Sequence, residues 1–233
     1  MRSALAQALA EALETGQAVL PLSPAESPPD IPAAEEVAAE GLELLGLIPC
    51  GLRLLESGLA GPLVAPRLLP QGPALPSTIL RHGRASPALV AILAEPLSAE
   101  GEGLPPLAAL HPALDLSASR YLEGPATAAE AVADLAGLGQ VVIGRPRPAP
   151  PWPDRCALAE GDARPRARAA PVQALLEEAA RRARAMGGLP AGAALAVVFD
   201  RRGRQVAPGR RWRVSWPGLG HAAAMIEEIT SGS

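Results

Sequence analysis

The chain has 233 residues, 21 basic and 24 acidic side chains for a formal net charge of -3, three His and two Cys. One compact domain with a sizeable core fits that length, while two Cys exclude a disulfide framework and, lacking zinc or redox spacing, point to a reduced, intracellular setting. Lys and Asn are absent, which excludes Schiff-base chemistry and a lysine general base.

Five aromatics (Tyr121, Trp152, Phe199, Trp212 and Trp216) leave a core built from Leu, Ala and Val. Pro and Gly stay below the roughly 25–30% typical of low-complexity chains, so the chain is expected to fold. No apolar run approaches the roughly 18 residues of a membrane span. Glu11 and Glu14 interrupt what a signal peptide would need as its apolar stretch. A cytoplasmic protein without a membrane partner is therefore expected.

In chain order, Leu5, Leu9, Ala12 and Leu13 recur at helical spacing over 3–15, with Gly16 as a stop. After a Pro/Ser-rich connector, Asp30 caps a second helix that tolerates Pro32 in its first turn and runs to about Leu45. Between 46 and 76, Gly and Pro interrupt every few residues and no period survives. The apolar run 88–93 and the segment 113–119 read as strands. Thr127-Ala128-Ala129-Glu130 is a capping box that opens a short helix ending at Gly137 or Gly139. Residues 141–143 form a strand closed by Gly144, and the Pro/Arg-rich stretch 145–170 reads as a loop. Over 171–186, Val172, Leu175, Leu176 and Ala179 define one helix face. Strands over 193–199 and 211–216 close the chain, the latter carrying Trp212 and Trp216 on one face.

This order predicts an α+β fold, divided into an N-terminal helical region (1–75) and a mixed β-roll with two helices (76–233), continuous as one domain. Charge divides unevenly: 1–150 carries 8 Arg and 16 acids, 151–233 carries 13 Arg and 8 acids. The Arg clusters at 164–168, 181–184, 201–204 and 210–213 lack interleaved aromatics in a chain of negative net charge. They read as solvated or interface faces rather than a nucleic-acid footprint.

The segment Ala113-Leu114-Asp115-Leu116-Ser117-Ala118-Ser119-Arg120-Tyr121 is followed by Ala131-Val132-Ala133-Asp134 and Val141-Val142-Ile143-Gly144. In the tail stand Gly188-Leu189-Pro190-Ala191-Gly192, Val206-Ala207-Pro208-Gly209, Trp212-Arg213-Val214 and Gly218-Leu219-Gly220. Together they resemble the 2-keto-4-pentenoate hydratase / 4-oxalocrotonate decarboxylase family of the fumarylacetoacetate hydrolase superfamily. That family reads A-L-E-I-x-D-S-R-Y, x-x-A-D-N and V-L-G, then L-K-A-G-D, V-x-P-G-D and G-L-G. The resemblance implies N-terminal helices packed on a rolled, mixed β-sheet of the superfamily's C-terminal-domain type, usually in an oligomer. It also implies Mg2+ or Mn2+ held by two Glu of a P-R-V-E-x-E strand and the Asp of D-S-R, which stabilises the enolate of a 2-oxo acid, with a nearby Lys assisting proton transfer.

Residue by residue the metal ligands do not carry over. Ser86 and Ala88 stand where the two Glu belong and Ala118 where the Asp belongs, while Pro49-Cys50-Gly51-Leu52 is read opposite the G-Y-K-I-G segment of the Lys. Glu95 and Asp115 lie at odd separations from Ser86 and Ala118 and are expected on the opposite strand faces. The segment between Cys156 and Pro171 reads as short, with a family hairpin missing. Arg120 keeps the family's position, either as a carboxylate-binding residue or as a structural ion pair. His82, His111 and His221 read as loop or structural residues, and Cys50 as a small hydrophobe rather than a nucleophile.

The expectation is a degenerate member, a pseudoenzyme without metal cofactor. It would act as a non-catalytic partner or scaffold in a homo-oligomer, or in a hetero-oligomer with a related hydratase or decarboxylase. The alternative is a metal-independent lyase, hydratase or isomerase acting on a small oxo acid or related carboxylated metabolite held by Arg120.

Overall fold

The computed structural model describes residues 3–72, 74–149 and 152–228. Helix α1 (Ala4–Thr15) begins where the Ser3 hydroxyl accepts the Ala6 N–H and ends at Gly16, whose left-handed φ of 75° lets its N–H reach the Ala12 carbonyl. Helix α2 (Ile31–Leu44) is capped by Asp30, whose carboxylate accepts the Ala33 N–H at 2.9 Å. Two further helices are α3 (Ala128–Ala133) and α4 (Val172–Ala185). Thr127 caps α3 through Glu130 N–H, but the Glu130 carboxylate turns to Ala126 N–H and the Ser27 hydroxyl, so the box is half closed.

The strands are, in order, β1 (Pro49–Leu55), β2 (Ala60–Val64), β3 (Leu68–Pro70), β4 (Ala74–Pro76) and β5 (Arg84–Leu93). There follow β6 (Leu97–Ser98), β7 (Leu107–Ser117), β8 (Gln140–Ile143), β9 (Arg155–Glu160) and β10 (Arg168–Ala169). The last are β11 (Gly188–Leu189), β12 (Ala194–Val198), β13 (Arg204–Gln205), β14 (Arg211–Trp216) and β15 (Gly220–Glu227). The main sheet has the order β2-β1-β12-β5-β7-β8-β3, with β13 added to β5. It is mixed: β1 runs parallel to β12, β3 parallel to β8, and the remaining neighbours antiparallel. A second sheet, β10-β9-β14-β15-β4, packs with α4 on one face of the first, and α1, α2 and α3 cover the other.

Period-two alternation on β5 divides the core between those faces. Ala85, Leu89, Ala91 and Leu93 join Leu176, Trp212, Val214, Trp216 and Ile226, while Ala88 and Val90 join Leu42, Leu63, Leu135 and Val198. With so few aromatics, the core relies on close backbone approach. A Cβ on Gly51 would overlap the Ala194 carbonyl across the parallel β1–β12 pair.

The expected arrangement of helices on a rolled mixed sheet is what the chain adopts. Several local expectations are corrected. The first 75 residues are not helical throughout: β1 and β2 already lie in the main sheet, so no boundary falls at 75. The 145–170 stretch, whose residues 150 and 151 lie outside the described ones, contains the antiparallel β9–β10 hairpin, so a hairpin is present between Cys156 and Pro171 after all. The segment 220–227 was not foreseen as a strand because its Ala-rich centre lacks β-branched residues, yet β15 pairs along the whole of β14.

Candidate functional site

Antiparallel register places Ser86 of β5 beside Asp115 of β7, and Ala88 beside Ala113, with side chains on the helix-covered face. Strand β1 brings Arg53 to that face through its parallel pairing with Ala196. The Arg53 guanidinium grips both carboxylate oxygens of Asp115: Nε donates to Oδ1 and Nη2 to Oδ2, each at 2.7 Å. Both side chains are 1% exposed. This is the two-pronged geometry that suits a planar guanidinium to a carboxylate. The third prong, Nη1, donates to the Ala136 carbonyl at 2.8 Å.

Ala136 lies in a turn that follows α3, where Leu135, Ala136 and Gly137 have φ of 54°, 52° and 70°. Left-handed conformation normally costs a non-glycine residue roughly 1–2 kcal/mol, so two in succession require support from outside the turn. A second buried pair supplies it. Arg120 Nε lies 2.7 Å from Asp134 Oδ1 in a contact too bent for a hydrogen bond, so that oxygen has none. Asp134 Oδ2 accepts from the Ser119 hydroxyl at 3.1 Å and from Arg120 N–H at 3.0 Å. Arg120 Nη1 donates to Leu138 O at 2.8 Å and Ala118 O at 3.1 Å, and Nη2 to Asp134 O at 3.4 Å. Two guanidiniums thus hold the turn, Arg53 at its apex and Arg120 at both shoulders. Burial pulls Arg120 below the ordinary arginine value, opposed by the Asp134 charge. Burial likewise pushes the Asp134 carboxyl up, opposed by Arg120.

A hard divalent cation needs several oxygen ligands at about 2.0–2.6 Å. At the positions the resemblance assigns, Ser86 offers one hydroxyl, Ala88 and Ala118 offer none, and the neighbouring Asp115 has both oxygens on Arg53. Among the described residues no group of three or more His, Cys, Asp or Glu side chains is arranged to hold a metal ion. The residues present do not fit the ion.

Asp115 and Ala118 take opposite faces, as their odd separation predicts: Ala118 packs with Leu114 and Leu116, whereas Asp115 shares its face with Ser86. Arg53 was not singled out from the sequence, although a lone arginine between apolar residues is a signal available there.

Arg120 therefore stands in an ion pair, and it also lines a cavity of about 430 Å³. Arg67, Arg81 and Thr15 line the same cavity, and burial together with the Arg120 charge pulls Arg67 below its usual value. Glu95 is exposed beyond the end of β5. The histidines are dispersed: His82 Nε2 meets Leu122 O at 2.7 Å, His111 Nδ1 meets Gly144 O at 2.9 Å, and His221 is exposed on β15. Cys50 is half-buried, and burial pushes its thiol up.

This arrangement of helices on a curled mixed sheet is the fumarylacetoacetate hydrolase fold. It superimposes on 4-oxalocrotonate decarboxylase from Pseudomonas putida G7, complexed with magnesium and adipate, with a TM-score of 0.81 at 19% identity over 96% of each chain. A similarity of smaller extent links it to 2-hydroxyhepta-2,4-diene-1,7-dioate isomerase from Mycobacterium marinum (TM-score 0.53, 8% identity, 79% of this chain and 78% of that one). Another links it to maleylpyruvate hydrolase from Sphingobium sp. SYK-6 (TM-score 0.52, 14% identity, 77% of this chain and 71% of that one). No protein-family model matches the sequence, and no curated protein matches it. At these identities the likeness is one of fold. Among the described residues no helix is long and apolar enough to cross a membrane.

Proposed function

We propose that the chain keeps this fold without metal-dependent 2-oxo acid chemistry and serves in the cytoplasm as a non-catalytic partner or scaffold subunit. Its assembly would be a homo-oligomer or a hetero-oligomer with an active hydratase or decarboxylase. The observation that carries this reading is the Arg53–Asp115 pair. The carboxylate nearest the inherited ligand positions already has a buried counter-cation, and the guanidinium donates to both oxygens a metal would use.

The test is Mg2+ and Mn2+ titration by calorimetry, metal analysis of the purified protein, and an assay with 2-hydroxypenta-2,4-dienoate. The wild type is expected to bind neither ion saturably and to give no turnover. Restoring the ligand set with Ser86→Glu, Ala88→Glu and Ala118→Asp is expected to create saturable Mn2+ binding. Stoichiometric metal with turnover in the wild type would overturn the proposal, and co-purification with an intact relative would support it.

A second reading is favoured by one observation, the half-buried Arg67 beside Arg120 in the 430 Å³ cavity, where an incoming carboxylate would offset two like charges. A metal-independent lyase, hydratase or isomerase using that cavity would show turnover unaffected by chelator and lost in Arg67→Ala.

A further inference from the structure

A second basic region lies on the opposite face of β5 from Ser86, where Pro87 closes one side of a cavity of about 490 Å³. The sequence holds its arginines in clusters some 35 residues apart, and the tertiary fold brings two of those clusters together. Arg166 and Arg168 come from the β9–β10 hairpin, Arg201 and Arg202 from the turn leading into β13, and Arg204 from the start of β13 itself. Antiparallel pairing of β10 with β9, and of β13 with β5, sets the two rims facing each other.

Two of the five guanidiniums are already held. Arg202 lies over the Phe199 ring at 5.2 Å and reaches Glu56 at 3.5 Å, and Arg204 lies over Trp212 at 5.4 Å and pairs with Glu160 at 2.8 Å. Arg166, Arg168 and Arg201 have no ion-pair partner among the described residues. Three cations without an acidic partner therefore line one concavity, and each presents a donor fork suited to phosphate or carboxylate oxygens. The volume is that of a small-molecule site, commonly about 300–1,000 Å³. Stacking of a base is disfavoured, because the Phe199 and Trp212 rings are covered by Arg202 and Arg204.

We infer that the cavity between the β9–β10 hairpin and β13 binds a small metabolite carrying two or more phosphate or carboxylate groups. Arg166, Arg168 and Arg201 grip the anionic groups, and the two ring-stacked arginines form a fixed cationic wall. The site is independent of the Arg53–Asp115 pair, which faces the helices on the other side of the sheet.

Calorimetric titrations with inorganic pyrophosphate and with citrate distinguish the two anion chemistries, and acetate at matched ionic strength is the monoanion control. At least one of the two polyanions is expected to bind saturably with one-to-one stoichiometry, and acetate is not. Arg166→Ala/Arg201→Ala removes two exposed side chains and is expected to weaken that binding at least tenfold. Arg181→Ala/Arg213→Ala makes the same change in net charge elsewhere and is expected to leave it unchanged. Circular dichroism checks that both variants are folded. The inference is overturned by absence of saturable binding with either polyanion, by equal loss in both double variants, or by binding of a duplex oligonucleotide alone.

Discussion

Arg53 and Asp115 face each other across the main sheet through two parallel 2.7 Å hydrogen bonds, with Ser86 beside the carboxylate in register. The pair is a closed internal contact, and its energetics can be separated from its role in holding the turn. Arg53→Ala leaves a carboxylate uncompensated in the interior and is expected to cost about 3–5 kcal/mol. Replacing both partners, as Arg53→Met/Asp115→Leu, is expected to recover most of that loss. Urea unfolding of the two variants measures the difference, and an equal loss in both would show that the bond to Ala136 dominates instead.

Asp134 and Arg120 define a second test. Asp134→Asn keeps the shape but leaves the Arg120 guanidinium without a counter-charge, at an expected cost of about 3 kcal/mol. Arg120→Lys is expected to be nearly as damaging, because one ammonium cannot span the Ala118, Asp134 and Leu138 carbonyls that the fork reaches. Stability close to wild type in the lysine variant would contradict the role given to the turn.

Two glycines separate close approach from backbone conformation. A Cβ at Gly51 would meet the Ala194 backbone, so Gly51→Ala is expected to cost at least about 4 kcal/mol or to abolish soluble expression. At Gly16, with φ of 75° and open space around it, Gly16→Ala is expected to cost only about 1 kcal/mol. Thermal melts of the pair report the contrast.

The thiols supply a pH-dependent prediction. Burial pushes both Cys50 and Cys156 above the ordinary thiol value, against a smaller lowering of Cys156 by Arg202. The thiolate fraction at pH 8 is therefore below that of a free cysteine and rises only at more alkaline pH. Ellman's reagent is expected to react slowly with half-buried Cys50 and not with buried Cys156, until denaturant releases both. Rapid native reaction of two thiols at pH 8 would refute this.

The four helices were legible because their signals are local: Ser3, Asp30 and Thr127 cap three of them, and α4 has a periodic apolar face. Strands β1 and β2 were not legible, since Gly51, Gly61 and Pro62 break the pattern at the places where backbones approach closely. The left-handed turn at Leu135 and Ala136 was hidden for a different reason. Neither residue favours that conformation, and the support comes from arginines 15 and 82 or more positions away in the chain.

Composition by itself determined that a permanently charged buried cation here is an arginine, because the chain contains no lysine. Which acid each arginine meets was decided only by the tertiary structure. Strand register carried Arg53 to Asp115 over 62 residues, and the turn after α3 carried Asp134 back to Arg120. A short-range charge contact depends on spatial distance, which strand order sets and sequence separation does not.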